Sequence, residues 1–333
     1  MGSPTVIVNG ANANKFLLSN EFKIVVSSWP SASVQLMGKE SIMEKQGERH
    51  QCLRSLIGTS LAYAGLEALV PKMCNSVQLH LDKYVENFRE SFGRSFAPPI
   101  QFPGSKFSRA RKARLEIERM LVEVVRKKRK QMEECKPQEG EEGGMLLSRL
   151  IAGVIRGEIT EEEHPNCYSL LLQEHVDIIR NKRQGEKLTM DDIKKMNYTW
   201  QVARESMRLF PPIFGSFRKA ITDIEYQGFI IPKGWKVLWT TYGTHYSAEY
   251  FEDPLSFNPS RFEETVPPYV FLPFGGGPRL CAGYQLAKLN ILIFVHFVVT
   301  SYDWSLLYPY EAITMDPLPF PSHGMPIKIS PKL

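Results

Sequence analysis

The chain has 333 residues, 43% of them hydrophobic and 23% charged, with a net charge of +5 at pH 7. This is a globular composition, long enough for one large domain or two small ones. The mild positive excess carries no basic stretch interleaved with aromatics, which argues against nucleic acid as a partner. Five scattered cysteines without a Cys-x-x-Cys spacing indicate neither a zinc site nor a disulfide framework, and point to a reducing compartment.

Residues 4–8 read as a strand closed by the turn pair Asn9-Gly10, and residues 11–19 as a short helix. Opening abruptly in a strand suggests missing upstream sequence; no signal peptide or hydrophobic anchor is legible. Residues 48–69 are expected as one helix with an apolar stripe of Leu53, Leu56, Ile57, Leu61 and Ala64. His50 and Arg54 lie four apart on it and share a face; they read either as an exposed polar face or as a pair aimed at an anion. Helix is expected to continue from Pro71 towards Phe88, with a loop over 97–104.

Residues 107–131 read as a long basic helix with Arg109, Arg111, Lys112, Arg119, Arg126, Lys127 and Lys128 on one face. That face fits membrane headgroups or an acidic protein, and equally a solvated exterior. An acidic, glycine-rich linker is expected over 133–144, then helices over 145–156 and 166–180. A further helix over 191–209 carries Glu205-x-x-Arg208, three apart and able to pair, and stops at Pro211-Pro212. Residues 216–241 are β-rich, with turns at Gln227-Gly228 and Pro232-Lys233-Gly234. The apolar run Ile291–Val299 is too short to span a bilayer. Residues 303–333 are proline-rich with one short strand near 326–329.

The most informative stretch is Phe271-Leu-Pro-Phe-Gly-Gly-Gly-Pro-Arg-Leu-Cys-Ala-Gly283. Gly275, Gly276 and Gly277 keep the backbone free of side chains, and a strongly helical run follows Cys281. Free N–H groups and the dipole at a helix N-terminus favour a thiolate. A thiolate on a bare loop suits a large flat partner. A buried inert cysteine and a cysteine nucleophile are the competing readings, and the second lacks a recognisable base nearby.

The spacing Phe274-x-x-Gly277-x-Arg279-x-Cys281-x-Gly283 resembles the haem-ligand signature of the cytochrome P450 family at every fixed position. The resemblance extends over most of the chain, and its wording around 200–218 and 268–305 is most similar to the plant branch that oxidises triterpenes and sterols, the β-amyrin oxidases among them. It implies a mainly α fold with small β-sheets and haem b ligated through iron by Cys281. It also implies that Arg279, Arg218, Arg54 and His50 hold the haem propionates, and that Glu205, Arg208 and Arg261 (in Phe257-x-Pro259-x-Arg261) brace the ligand loop. Ile213, Phe214, Gly215 and Ser216 would border the substrate pocket.

The implied activity is a monooxygenase acting on an apolar terpenoid or sterol with dioxygen. Its electrons would come from NADPH through a reductase, at the cytosolic face of the endoplasmic reticulum membrane or, without an anchor, in the cytosol. Three departures are expected: no N-terminal anchor, a shortened middle, and no central helix bearing the family's acid–threonine pair. Ala152-Gly153 begins like that motif, but Val154, Ile155 and Arg156 follow. The chain is therefore expected as one incomplete haem-thiolate domain: an N-terminal helical region over residues 1–132, a linker over 133–144 and a C-terminal haem-ligand region over 145–333. The alternative is an inactive remnant that binds haem weakly or not at all.

Overall fold

The structure, a computed structural model, describes residues 3–83 and 167–332 apart from 39, 184, 309–310, 316–318, 324 and 326. The basic helix, the acidic linker and the helix expected over 145–156 lie outside the described residues. The described elements run β1 (Thr5–Val8), α1 (Ala11–Ser19), β2 (Val25–Ser27), α2 (Ser31–Met37), α3 (Gly47–Ser60), α4 (Tyr63–Lys83) and α5 (Cys167–Arg180). There follow α6 (Met190–Lys194), α7 (Asn197–Leu209), β3 (Gly215–Ala220), β4 (Ile224–Tyr226), β5 (Phe229–Ile231), β6 (Lys236–Thr240) and α8 (Tyr242–His245). The chain closes with α9 (Tyr284–Ser301), β7 (Tyr302–Leu306), β8 (Ile313–Met315), β9 (Pro319–Pro321) and β10 (Ile327–Pro331).

The fold is mainly helical with small sheets. Helix α9 lies at its centre, packing against α4, α5, α6, α7 and β7. It is apolar nearly all round, as a helix enclosed on several sides must be, and it buries Leu289, Ile291, Leu292, Ile293, Val295, Val298 and Val299. Among the described residues it alone has the length and apolar composition to cross a membrane, and half of it is buried inside the protein. The one four-stranded sheet among the described residues has the order β1-β6-β3-β2, with β1 parallel to β6 and the remaining pairs antiparallel. Its interior holds Leu17, Leu18, Val25, Val237, Trp239 and Leu272, so α1 is fixed onto the sheet beside the cysteine loop.

Several sequence expectations change. The helix read over 48–69 is two helices, α3 and α4, with a break at Leu61–Ala62. The apolar stripe of the first is not its buried face: Leu56 is 62% exposed, while His50 is buried. A polar anchor, not area burial, docks α3. Pro71 lies inside α4, which continues through it to Lys83, burying Val70, Cys74, Val77 and Leu81. The helix read over 191–209 is also two. Thr189 and Asp192 form a capping box that starts α6, and Met196, with ψ 62°, leaves helical geometry before α7. Strands β2 and β7 and helix α2 were not legible. Three residues of β2 carry no periodicity, and β7 exists because it pairs antiparallel with β10. The β4–β5 hairpin turns at Gln227 (φ 51°) and Gly228 (φ 80°), the left-handed pair a tight hairpin requires.

A histidine relay crosses the core between α5, α7 and α9. Thr199 Oγ1 donates to Glu174 Oε2 at 2.5 Å and lies 3.0 Å from His175 Nε2. His175 Nδ1 lies 3.0 Å from His296 Nδ1. Because Thr199 spends its proton on Glu174, His175 Nε2 must donate to Thr199, and His296 Nδ1 must donate to His175 Nδ1. His175 is thus neutral, with one nitrogen donating and the other accepting. Burial pushes the pKa of His175 down to about 3 and that of His296 to about 4. Unfolded, each titrates near the ordinary histidine value of about 6.5. Between the folded and unfolded values the unfolded chain binds more protons, so stability falls as pH falls. Urea denaturation is expected to show a loss on the order of 1.4 kcal/mol per pH unit per histidine below pH ~6. A flat profile from pH 7 to 5 would refute the neutral assignment.

Candidate haem-ligand loop and anion cluster

The cysteine loop is built from both ends. Gly275 N donates to Leu272 O, Leu280 N to Gly277 O, and Cys281 N to Phe274 O, each at 3.0 Å. Gly277 takes φ 64°, and a Cβ there would stand 2.3 Å from Leu18 O, so α1 packs directly on bare backbone. That position accepts only glycine on both counts. The Phe274 ring meets Tyr284 edge-on at 4.9 Å. Gly283 is the N-cap of α9, which places Cys281 just ahead of the helix. The Cys281 thiol is free and exposed.

The other described thiols differ. Cys74 is buried, with its pKa pushed up to about 11 by that burial, and burial also raises Cys167; Cys52 is exposed on α3. A metal ligand must be a thiolate, which disfavours Cys74 and Cys167.

Beside the loop lies a cation cluster drawn from several elements. Arg54 of α3 donates to Leu280 O, one residue from Cys281. His50, one turn earlier, is 3% exposed, and its Nδ1 has no hydrogen-bond partner. Its pKa is lowered, first by burial and then by Arg279 and Arg54. Arg218 of β3 is 3% exposed, and its Nη1 donates to Ser216 Oγ at 2.9 Å. Arg279 binds the 42–46 segment through Lys45 O at 2.9 Å and Gln46 Oε1 at 2.6 Å. The structure thus brings the four expected propionate-binding residues into one neighbourhood of Cys281, although Arg279 spends its Nη donors on the protein. Glu21, which carried no sequence signal, sits among them: Arg279 Nε donates to Glu21 Oε1 at 2.5 Å, and Arg218 Nε lies 2.5 Å from Glu21 Oε2. The second contact is a close, buried ion pair.

Below the loop, Glu205 and Arg208 are fully buried and pair bidentately, Nε to Oε2 at 2.7 Å and Nη2 to Oε1 at 2.8 Å. Arg208 Nη1 also donates to His245 O and Pro254 O, at 2.7 and 2.6 Å. Arg261 Nε lies 3.4 Å from Glu205 Oε1, and Asn258 N donates to that oxygen at 2.9 Å. His245 joins this network to the cysteine loop, a link sequence reasoning missed. Its Nε2 accepts from Leu272 N at 3.0 Å and its Nδ1 faces Arg208 O at 3.3 Å, so Nδ1 carries the proton. Burial lowers its pKa to about 3, which preserves the accepting nitrogen.

Ile213, Phe214, Gly215 and Ser216 stand at the start of β3. Thr241 fastens them, with its N–H on Phe214 O and its hydroxyl on Ile213 O, both at 3.0 Å. Gly215 is confined: a Cβ would stand 1.9 Å from Trp239 O.

A cysteine on a glycine loop before a core helix, with a buried acid–arginine pair beneath it, is the arrangement a haem-thiolate protein needs. Known proteins agree. The cytochrome P450 family model matches residues 162–328. Taxoid 14-beta-hydroxylase of Taxus cuspidata is 34% identical, with 100% of this chain and 79% of the relative covered. Beta-amyrin 28-monooxygenases of Barbarea vulgaris and Vitis vinifera are 33% and 34% identical, each covering 99% of this chain and 82% of the relative. The retinoic acid-bound structure of cyanobacterial CYP120A1 superposes with a TM-score of 0.81 at 25% identity, covering 99% of this chain and 90% of that one. The chain belongs to the cytochrome P450 family. Its alignment with the taxoid hydroxylase runs over 402 positions against 333 residues, so that relative carries stretches this chain lacks.

Membership brings haem b as cofactor, a reductase as the source of NADPH electrons and apolar substrates as a class. The residues fit that group. His50 Nδ1 is a buried polar atom without a hydrogen-bond partner, Arg54 reaches the residue before the exposed Cys281 thiol, and haem b offers two carboxylates and an iron that takes a thiolate.

Proposed function

We propose that the chain is a haem-thiolate monooxygenase of plant terpenoid metabolism, inserting one oxygen atom of dioxygen into a C–H bond of an apolar polycycle such as a triterpene or taxane skeleton. The observation that carries this reading is the free Cys281 thiol on the Gly275–Gly283 loop, adjacent to the arginine and histidine cluster. The hydroxylase and monooxygenase relatives support the substrate class. Bound haem supplies an iron at which dioxygen is reduced and split.

The chain's own role is to hold and tune. Cys281 would donate electron density from its sulfur to the iron, and the backbone hydrogen bonds of the loop fix where the sulfur stands. Arg54, Arg218 and His50 bind carboxylates; Glu205, Arg208 and Arg261 keep the loop's base rigid. Ile213 and Phe214 present apolar surface at the start of β3, as an apolar substrate needs. The partner is a reductase delivering NADPH electrons, at the cytosolic face of the endoplasmic reticulum membrane.

The test is the absorption spectrum of the purified chain with haem b, reduced and exposed to carbon monoxide, followed by turnover of triterpene and taxane skeletons with a plant reductase. A strongly red-shifted Soret band and an oxidised product support the reading. No haem uptake favours the inactive remnant, and a thiolate spectrum without product removes the activity while leaving the site.

A further inference from the structure

Three helices, α4, α6 and α9, surround a space that no described side chain fills. On α9, Gln285, Lys288, Leu289 and Leu292 recur at helical spacing and so share one face. Leu66 of α4 and Ile193 of α6 line the same space. Its volume is about 410 Å³, within the range of small-molecule pockets. The floor is apolar: Leu66, Ile193, Leu289 and Leu292 are all buried in the core. The rim is polar. Lys194 Nζ donates to Tyr63 OH at 2.8 Å, which ties α6 to α4, and Gln285 is exposed. Protein interiors are close-packed, and side chains lining an open space forfeit the contacts that packing would give them. A space of this size against core leucines therefore has room for a ligand.

Charge supplies a second, independent observation. The half-buried Lys288 Nζ lies 4.9 Å from the centre of the Trp200 ring, and no carboxylate pairs with it among the described residues. Burial lowers its pKa, and the neighbouring Arg204 lowers it further. Arg204 is itself half-buried, with its guanidinium 4.1 Å from the Phe262 ring centre and 5.4 Å from that of Phe271. Its Nη1 reaches only Phe262 O, at 3.4 Å, and it too has no carboxylate partner among the described residues. Two adjacent cations thus give up solvent without gaining a counter-ion. Lys194, on the opposite side of the cavity, is different: Asp191 Oδ1 holds it at 2.8 Å. The uncompensated charge therefore stands at the Lys288 edge, with the leucine floor behind it.

We propose that this cavity binds a single-chain anionic amphiphile, with the alkyl chain on the leucine floor and the head group on Lys288. A neutral apolar molecule would cover the floor and leave the lysine unpaired. A small inorganic anion would pair the lysine and leave the floor bare. An alkyl chain ending in an anion satisfies both halves. Fatty acids and lysophospholipids share that chemistry and differ in the head group, carboxylate or phosphate. None of the residues placed at the haem or at the start of β3 takes part, so the site does not rest on the proposed function.

The experiment titrates the full chain, supplied with haem b, by calorimetry with decanoate and with decyl phosphate, each below its micelle concentration. Decanamide, with the same chain and no charge, is the control. Three proteins are compared: the unaltered chain, Lys288→Gln, and Met190→Trp, which puts an indole into the cavity that Met190 lines. The unaltered chain is expected to bind at least one of the anions saturably, one to one. Lys288→Gln is expected to weaken the anions on the order of ten-fold, the scale of one hydrogen bond to a charged group, and to leave decanamide unchanged. Met190→Trp is expected to abolish binding of all three. Either anion upholds the site, and the tighter one assigns its head group. Circular dichroism and Tm establish that each variant is folded; should Met190→Trp not fold, the contrast between anion and amide in Lys288→Gln decides alone. Anion affinity unchanged in folded Lys288→Gln would place the ligand elsewhere and overturn the proposal, as would an equal loss for decanamide or no saturable binding to the folded unaltered chain. A chain that takes up no haem still gives the titration, so failure of the haem reading and failure of this site are read separately.

Discussion

Substitution of Cys281 by alanine is expected to abolish the red-shifted Soret band of the reduced, carbon monoxide-treated protein, and substitution by histidine to leave an unshifted band of a nitrogen-ligated haem. The loss should be complete because the effect is electronic. Only a thiolate sulfur donates enough charge to iron to move the band, and the buried cysteines do not replace it. Cys74 is held protonated by burial, with a pKa of about 11, Cys167 is buried, and Cys52 lies on α3. The backbone frame of the loop, Cys281 N on Phe274 O and Leu280 N on Gly277 O, does not use the sulfur, so the alanine variant should fold. Its circular dichroism and Tm separate loss of the ligand from loss of the fold. A red-shifted band surviving in a folded Cys281→Ala protein would remove Cys281 as the ligand.

Glu205→Gln is expected to destabilise the protein by about 3–5 kcal/mol, the range for breaking a fully buried ion pair from one side. Both side chains of the pair are wholly inaccessible, and Arg208 would keep its charge while losing its counter-charge and one of its two hydrogen bonds, because the amide nitrogen cannot accept. Arg261, 3.4 Å from the same carboxylate, would lose its counter-charge as well. The damage should spread to the cysteine loop along one route: Arg208 O faces His245 Nδ1, and His245 Nε2 holds Leu272 N at the root of the loop. Denaturant unfolding measures the first effect, and haem affinity the second. A cost below about 1 kcal/mol, the scale of a solvent-exposed pair, would mean that water reaches the pair and that the network braces nothing.

The two variants fail differently because they sit on different kinds of contact. Cys281 is exposed and chemically specific, so its removal changes the spectrum and spares stability. Glu205 is buried and electrostatically specific, so its removal costs stability and reaches the site only through His245.

The sequence by itself determined the family, because the glycines, Arg279 and Cys281 are bound to one another by local spacing. Backbone that must stay bare can be read wherever glycines recur at fixed distances from a thiol. It also determined α1, α9 in outline, the β3–β6 region and the Glu205–Arg208 pair, all of which rest on short-range periodicity or an i, i+3 contact. Tertiary structure decided what depends on partners distant in the chain. Strand β7 exists only against β10, and the exposed stripe of α3 inverted the expected docking face because His50, not Leu56, found a buried site. Above all, Glu21 meets both Arg218 and Arg279, the second of them 258 residues further along the chain. No spacing rule encodes a charge pair of that separation; it forms because α1 packs on the glycine loop and the strained turn at Phe22 aims the carboxylate inward.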